Sequence, residues 1–542
     1  SKYFLLAALG LMAAPALAQE TYQDTKFAEN SLNGTARYVG MGGAMEALGA
    51  DISTIGSNPA GIGLFRKNQV SLSAGVMAQT DAENYTKYNN TTIDFDGSKS
   101  HVSLDQVGIV WSPTRGRNSY INLAFNYHKS ADFNQILNAA NNLNGASQSK
   151  LTAIKYAAFH GQTGGDMVWT GVDANYEKMM SFDENGNMNF YEGNEFLYGQ
   201  TQKGYIGQYD FNISGSINNR VWLGLTIGLH DVNYKSNSMY SENMESDNPG
   251  KAISDHYESL KIDGTGFDVK AGVIFRPVND SPFRIGAYLN SPVYYDLTMS
   301  GASKLYMADG ENEGSNNNTC SYDYRLNTAW KAGVSLGHTV GNYLALGATY
   351  EYAWYDHMDN RIKDGGYYDS WYGDYYETSS SDDAMNDNTR FSLSGVSTVK
   401  LGLEYKPMPL VAIRLGYNYV SPMFKEEGYR DQSIASPGTA YATSSDFTNW
   451  KATNRITAGV GFNYQGWAFD VAYQYSAQKG DFYPFMSYYD NPGSYSHLTL
   501  PTISLVEISL VALSTSNTSY EHTNRDLGRR RIHNNKQESN HR

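Results

Sequence analysis

Eleven histidines and one cysteine, Cys320, are the residues from which metal or nucleophilic chemistry would have to be built in this 542-residue chain. Zinc and non-haem iron sites need three or four ligating side chains held together, usually announced by short spacings. No HExxH and no paired CxxC occurs, and no nucleophile elbow is expected, so neither a cofactor nor a catalytic step is anticipated. What stands out instead is charge in unusual places. Lys270, Lys331, Glu351, Lys400, Glu404, Arg414, Arg455 and Asp470 fall on one parity of stretches whose other parity is aliphatic or aromatic. In a sheet crossing a bilayer, a basic residue at the lipid midplane costs about 2–4 kcal/mol, so these charges belong inside. A mutually neutralising interior network is their expected role; direct contact with a ligand is the alternative.

The elements that would position them alternate with period two. Val221, Leu223, Leu225, Ile227 and Leu229 share one parity, as do Val411, Ile413, Leu415, Tyr417 and Tyr419. Many such runs reach nine residues or more, the length a tilted strand needs to cross a membrane. Thirteen strands are expected, near 68–78, 102–111, 119–129, 205–218, 220–235, 259–277, 283–299, 321–337, 342–356, 393–406, 409–424, 453–464 and 466–477. Long connections alternate with tight turns such as Asn218-Asn219 and Gln465-Gly466. That asymmetry predicts an all-β transmembrane antiparallel β-barrel rather than a soluble sandwich. Net charge of −14 argues against a nucleic-acid partner, whose phosphates need a basic face. No apolar run after the first eighteen residues is long enough for a membrane helix.

Ahead of the strands lies Ala36–Leu64, ARYVGMGGAMEALGADISTIGSNPAGIGL, dense in glycine and small residues. Gly42 and Gly43 offer backbone freedom, and Asn58-Pro59-Ala60-Gly61 reads as a tight turn. A compact plug is the physical expectation. This run resembles the N-terminal hatch of the FadL/TodX (OMPP1) family of outer-membrane transporters over about thirty residues. The resemblance implies fourteen strands, a hatch across residues 19–66 with Gly42, Gly43, Asn58, Pro59, Ala60 and Gly61 as its gate, and a barrel over 67–495. It also implies passive uptake of hydrophobic compounds, long-chain fatty acids first, by a monomer that the barrel-assembly machinery inserts among outer-membrane lipid and lipopolysaccharide. Sideways exit beside an inward kink of the third strand is implied too, yet Tyr120–His128 has neither Gly nor Pro to mark one. Some relatives carry a hemin-receptor label, for which His230, His338 or His357 would be ligands. A structural or adhesive barrel is a further reading.

Three further expectations complete the chain. Residues 1–18 read as a secretory signal peptide ending in Ala16-Leu17-Ala18. Within 130–204, Phe133, Ile136 and Leu137, and then Leu151 and Ile154, stand at helical spacing; two short helices forming an outer hydrophobic groove are expected. The aromatic cluster Tyr367–Tyr376 suits an interface. After about residue 495 the alternation fails at Pro501 and Glu507, so the fourteenth strand is expected to be lost and 496–542 to be a non-native tail.

Overall fold

The computed structural model describes residues 20–113, 118–160, 168–177, 180–182, 188–189, 191–245, 252–308, 313–431, 434–485, 498–510 and 514–515. The alternating stretches fold into one closed antiparallel sheet. Its staves are β1 (Gln69–Gln79), β2 (Ser100–Trp111), β3 (Tyr120–Asp132), β4 (Glu192–Ile217), β5 (Val221–Glu245) and β6 (Ala252–Phe275). They continue with β7 (Arg284–Asn290, resumed at Tyr294–Ala308), β8 (Glu313–Asn327, resumed at Lys331–Val340) and β9 (Leu344–Ala353, resumed at Asp359–Asp369). Then come β10 (Val396–Met408), β11 (Val411–Val420), β12 (Phe447–Tyr464), β13 (Trp467–Tyr483) and β14 (Leu498–Leu510).

β14 corrects the expectation that the closing strand is lost. Its backbone pairs with β13 on one side, Val471 opposite Leu510, and with β1 on the other, Ala74 opposite Leu510. Fourteen staves therefore close the ring among the described residues, and the barrel extends past residue 495. A barrel edge left open in lipid would strand its backbone donors and acceptors, which closure satisfies. The ladder on β13 jumps from Ile503 to Leu500, so Pro501, which has no N–H, sits in a register shift rather than a rung. Residues 1–18, expected as a signal peptide, and the basic stretch Arg529–Arg531 lie outside the described residues.

The two faces of the wall follow the alternation. Leu223, Leu225, Ile227, Leu336, Leu401, Leu415, Val460 and Val471 point outward and are exposed to the surroundings of the barrel. Trp111, Tyr343, Tyr405, Tyr464 and Trp467 rim that apolar band at the end carrying the short turns. Strands β4 to β6 run 24–26 residues, far beyond the nine to eleven or so that cross a bilayer. The segments 236–258 and 300–320, expected as loops, are thus largely upward extensions of the wall.

Two local expectations change. The helix expected at Phe133–Leu137 is a strand, Gln135–Asn142, paired along the upper half of β4 from Gln135 opposite Gln202. An unpaired edge of β4 offers eight rungs of hydrogen bonds, which outweighs a helical spacing of apolar residues. The second helix is present as Gln148–His160. The aromatic cluster forms an outer hairpin, Asp359–Asp369 with Asp374–Ser381, carrying Trp371 at its tip with 87% exposure.

Candidate functional site

The lumen is filled from below by residues 20–66. Helix α1 (Thr21–Ala28) stands in the upper lumen; α2 (Ala36–Gly40) and two 3-10 turns, Ile52–Gly56 and Pro59–Leu64, form the floor. Gly42 and Gly43 hold φ of +62° and +78°, a region side chains disfavour. Buried Asn58 caps the second turn, its Oδ1 accepting from the Ala60 N–H at 3.2 Å while its Nδ2 donates to the Glu46 carbonyl at 3.0 Å. Pro59 follows as the first residue of that turn, and a side chain at Gly61 would strike Thr54.

This floor lies directly on the wall because the wall has no side chains where they meet. Gly337, Gly347, Gly402 and Gly416 are cross-strand neighbours in one row across β8 to β11. A Cβ at any of them would collide with the Ala47–Leu48 backbone, the Ala44 carbonyl, the Met41 carbonyl or the Gly42 amide, respectively. Interior glycines in a strand pattern mark such close backbone approach, a signal the sequence carried but that alternation alone passed over. Polar wall residues then satisfy hatch carbonyls. Tyr120 donates to Gly63 at 2.8 Å, Asn122 to Ile62 at 2.9 Å and Ser214 to Pro59 at 2.8 Å.

All eight inward charges face this interior. Glu404 accepts from Arg37 at 2.9 Å and from Arg414 at 2.7 Å, and Arg414 also pairs with Asp470. Lys400 reaches hatch residue Glu46 at 2.7 Å. Lys331 donates to the carbonyl of Ala28, at the end of α1, at 3.1 Å. Arg455 donates to Asn418 at 3.1 Å, with Glu29 3.8 Å away. Glu351 accepts from Tyr288 at 2.7 Å. Lys270 lies between Asp268, at 2.6 Å, and Asp210, at 3.3 Å. In the hatch itself, burial raises the pKa of the Asp51 carboxyl, opposed by Arg37 and by hydrogen bonds from Ser53 and Thr35.

One seam of the wall is incomplete. Among the described residues, β2 and β3 pair from Trp111 opposite Leu123 up to Gln106 opposite His128, and no further. β2 continues to Ser100 bonded only to β1. β3 bulges between Lys129 and Ala131 on β4, and its carbonyls turn to the hatch: Ser130 accepts from the Ser31 N–H at 2.8 Å and Lys129 from Asn33 at 3.2 Å. His101 of β2 contacts Asp132 of β3 across the gap at 3.1 Å. The third strand thus carries a bulge held by the hatch just past the stretch that showed no Gly or Pro.

No protein-family model and no curated protein matches this sequence. Among solved structures, a FadL homologue from Pseudomonas aeruginosa is similar with a TM-score of 0.50 and 13% identity, covering 90% of this chain and 99% of its own. The fold is FadL-type. The toluene transporters TodX of Pseudomonas putida (TM-score 0.45, 12% identity, 90% and 99% covered) and TbuX of Ralstonia pickettii (0.45, 14%, 90% and 98%) are also similar. Fold is all that identity at this level establishes.

Above the FadL-type floor, the expected outer groove does not assemble. Phe133 packs against Phe27 and Tyr234 inside the lumen. Ile136 is buried, and Leu137 and Leu151 share a buried cluster with Phe196, Tyr198 and Phe482. Ile154 is 46% exposed on the outer side of the helix Gln148–His160. Phe133 and Leu137 instead line a cavity of about 230 Å³ beside α1, together with Tyr22, Tyr234, Phe424 and Phe447. That cavity is assembled from distant segments and was invisible to motif reading. The Gly333-Val334-Ser335-Leu336-Gly337 run spells GxSxG, but it lies within straight β8, paired on both edges, and forms no elbow. His230 Nε2 lies 3.4 Å from Asp268, His338 stands near the lower end of β8, and His357 is exposed beside Asp356.

Proposed function

We propose that this chain is an outer-membrane channel for passive uptake of hydrophobic small molecules, with the hatch closing the axial route and exit running sideways through the β2–β3 seam. The observation that carries this reading is that seam. Pairing between β2 and β3 stops at Gln106 and His128, at the level where the lumen passes from the ionic floor to the cavity beside α1. A closed barrel in lipid has every reason to complete its ladder, so an interruption held by hatch contacts is a functional feature. The lumen is divided: its lower half is braced by ion pairs, and its upper half holds a cavity where Tyr22, Phe133, Tyr234, Phe424 and Phe447 stand among polar side chains such as Lys26, Glu258 and Arg430. A purely structural barrel would need no such cavity. His230, His338 and His357 stand on separate staves at different heights, which gives the hemin reading no paired ligands to build on. Long-chain fatty acid is the type substrate implied by the FadL/TodX resemblance. Export by the N-terminal signal and insertion by the barrel-assembly machinery belong to the same proposal.

The test is uptake in cells lacking their own hydrophobic-compound channel, comparing the intact chain with a variant lacking Ser130. Removing that residue deletes the bulge against β4 and the carbonyl bonded to Ser31, which should free β3 to continue its pairing with β2. The expected result is folded protein at equal abundance with uptake reduced to the background of cells without the channel. Undiminished uptake by the deletion variant would overturn the sideways route; no uptake by the intact folded chain would overturn the channel itself.

A further inference from the structure

The outward face of the wall is grooved across β3 to β6. On β4, Gly215 takes an outward position between the exposed Ile213 and Ile217, and its neighbours across the ladders are Ile121 of β3 and Leu223 of β5. On β6, Ala271 takes an outward position opposite Leu225. Two small residues where the surrounding wall carries large ones leave a shallow groove of about 400 Å³, walled by Ile121, Ile213, Leu223 and Leu225. On the outer face of a membrane barrel such a groove is filled by an acyl chain.

The headgroup is decided at the lower end of the same strands. Arg220, which closes the β4–β5 turn, is exposed, and its guanidinium carbon lies 5.5 Å from the ring centre of Phe275, an exposed outward residue of β6. That places the charge on the lipid side of the rim. At about 3.3 Å per residue and a tilt of about 45°, Leu225 sits about 12 Å deeper than Arg220. The groove therefore lies within one leaflet, whose hydrocarbon is about 15 Å thick, with Arg220 at the polar edge.

The Arg220 carbonyl accepts from the Arg276 N–H at 2.8 Å, so the β4–β5 and β6–β7 turns share one corner. Residues 217–220 and 276–284 carry Arg220, Arg276 and Arg284 against a single carboxylate, Asp280. Arg220 donates from Nη2 to the Pro277 carbonyl at 3.0 Å, and Arg284 from Nη1 to the Leu48 carbonyl at 2.7 Å. Among the described residues none of the three forms an ion pair within 4.0 Å. A guanidinium binds a phosphate well, whereas a headgroup that also carries an ammonium brings a cation into a corner already in positive excess. We infer that this part of the wall is a binding site for an anionic phospholipid of the leaflet at the short-turn end, with an acyl chain in the groove over Gly215 and Ala271 and the phosphate against Arg220.

Native mass spectrometry of the detergent-solubilised full chain, mixed with equal amounts of phosphatidylglycerol and phosphatidylcholine bearing the same chains, tests this. The phosphatidylglycerol adduct should exceed the other at least about fivefold. Arg220→Gln, a change on an exposed turn, should cut that ratio at least about threefold, and Arg220→Gln with Arg276→Gln should bring it near one. Ala271→Phe, which fills the groove from the lipid side, should lower retention of phosphatidylglycerol at least about threefold with both arginines intact. Glycerol 1-phosphate, an anion without chains, should displace neither lipid. Equal binding of the two lipids by the intact chain, a ratio unchanged in the double arginine variant, retention unchanged in Ala271→Phe, or displacement by glycerol 1-phosphate each overturns the inference. The site belongs to the outer wall and is independent of what the lumen carries, so its failure leaves the channel reading to the uptake test.

Discussion

Glu46 is the hatch residue whose contacts are most easily put to a measurement. Its two carboxylate oxygens accept from Lys400 and from Thr349, each at 2.7 Å, in a fully buried setting. Breaking a buried ion pair from one side is typically destabilising by about 3–5 kcal/mol, whereas replacing both partners with apolar groups is often neutral. Lys400→Met should therefore lower the thermal unfolding midpoint of the solubilised protein, and Glu46→Leu combined with Lys400→Met should recover most of it. A double variant as unstable as the two losses added would show the pair to be uncoupled. Asp51 gives the opposite case, since burial raises its pKa and Arg37 only partly offsets that. A carboxyl that holds its proton more tightly when folded contributes stability that grows as pH falls through the folded pKa. Asp51→Asn keeps an oxygen for the Ser53 N–H and Thr35 hydroxyl, so it should stabilise the protein at neutral pH. That advantage should shrink toward zero as the pH drops into the range where Asp51 itself is protonated. A stability difference independent of pH would mean that Asp51 titrates alike in the folded and unfolded chain.

At the scale of elements, hatch and wall are one packed unit. The glycine row on β8 to β11 leaves no room for a Cβ against the Met41–Leu48 backbone. Overpacking a filled contact costs typically about 1–3 kcal/mol. Here the strain falls on the hatch, because the wall is held by ladders on both sides. Gly347→Leu should therefore keep a folded barrel but raise the leak of small solutes in liposome swelling, and deletion of residues 36–64 should raise it further. Swelling rates equal to those of the intact protein would show that something other than this segment closes the axis.

At the scale of the whole molecule, closure depends on β14. Its backbone bonds to β13 and β1 together, so a chain ending at residue 495 should lose the shifted mobility of a folded barrel on unboiled gels. A chain ending at Thr515 should retain it. Equal behaviour of the two truncations would mean that another segment closes the ring. The seam between β2 and β3 is the converse feature, an edge left open above Gln106 and His128.

What the sequence determined alone is what local periodicity and local backbone freedom can encode. Alternation placed thirteen staves and the inward parity of Lys270, Lys331, Glu351, Lys400, Glu404, Arg414, Arg455 and Asp470, because a pleated strand separates its faces residue by residue. The Asn58-Pro59-Ala60-Gly61 turn was legible for the same reason: Pro and Gly act on their own φ. Tertiary structure decided the rest. Leu498–Leu510 became a strand because two waiting edges outweighed an interrupted pattern, and Gln135–Asn142 became one because β4 offered a free edge. The bulge of β3 at Ser130 has no Gly or Pro to announce it; hatch atoms of Ser31 and Asn33, far away in the chain, hold it. The cavity beside α1 joins Glu20 and Tyr22 to Arg430 and Phe447, residues that meet only once the ring has closed around the helix.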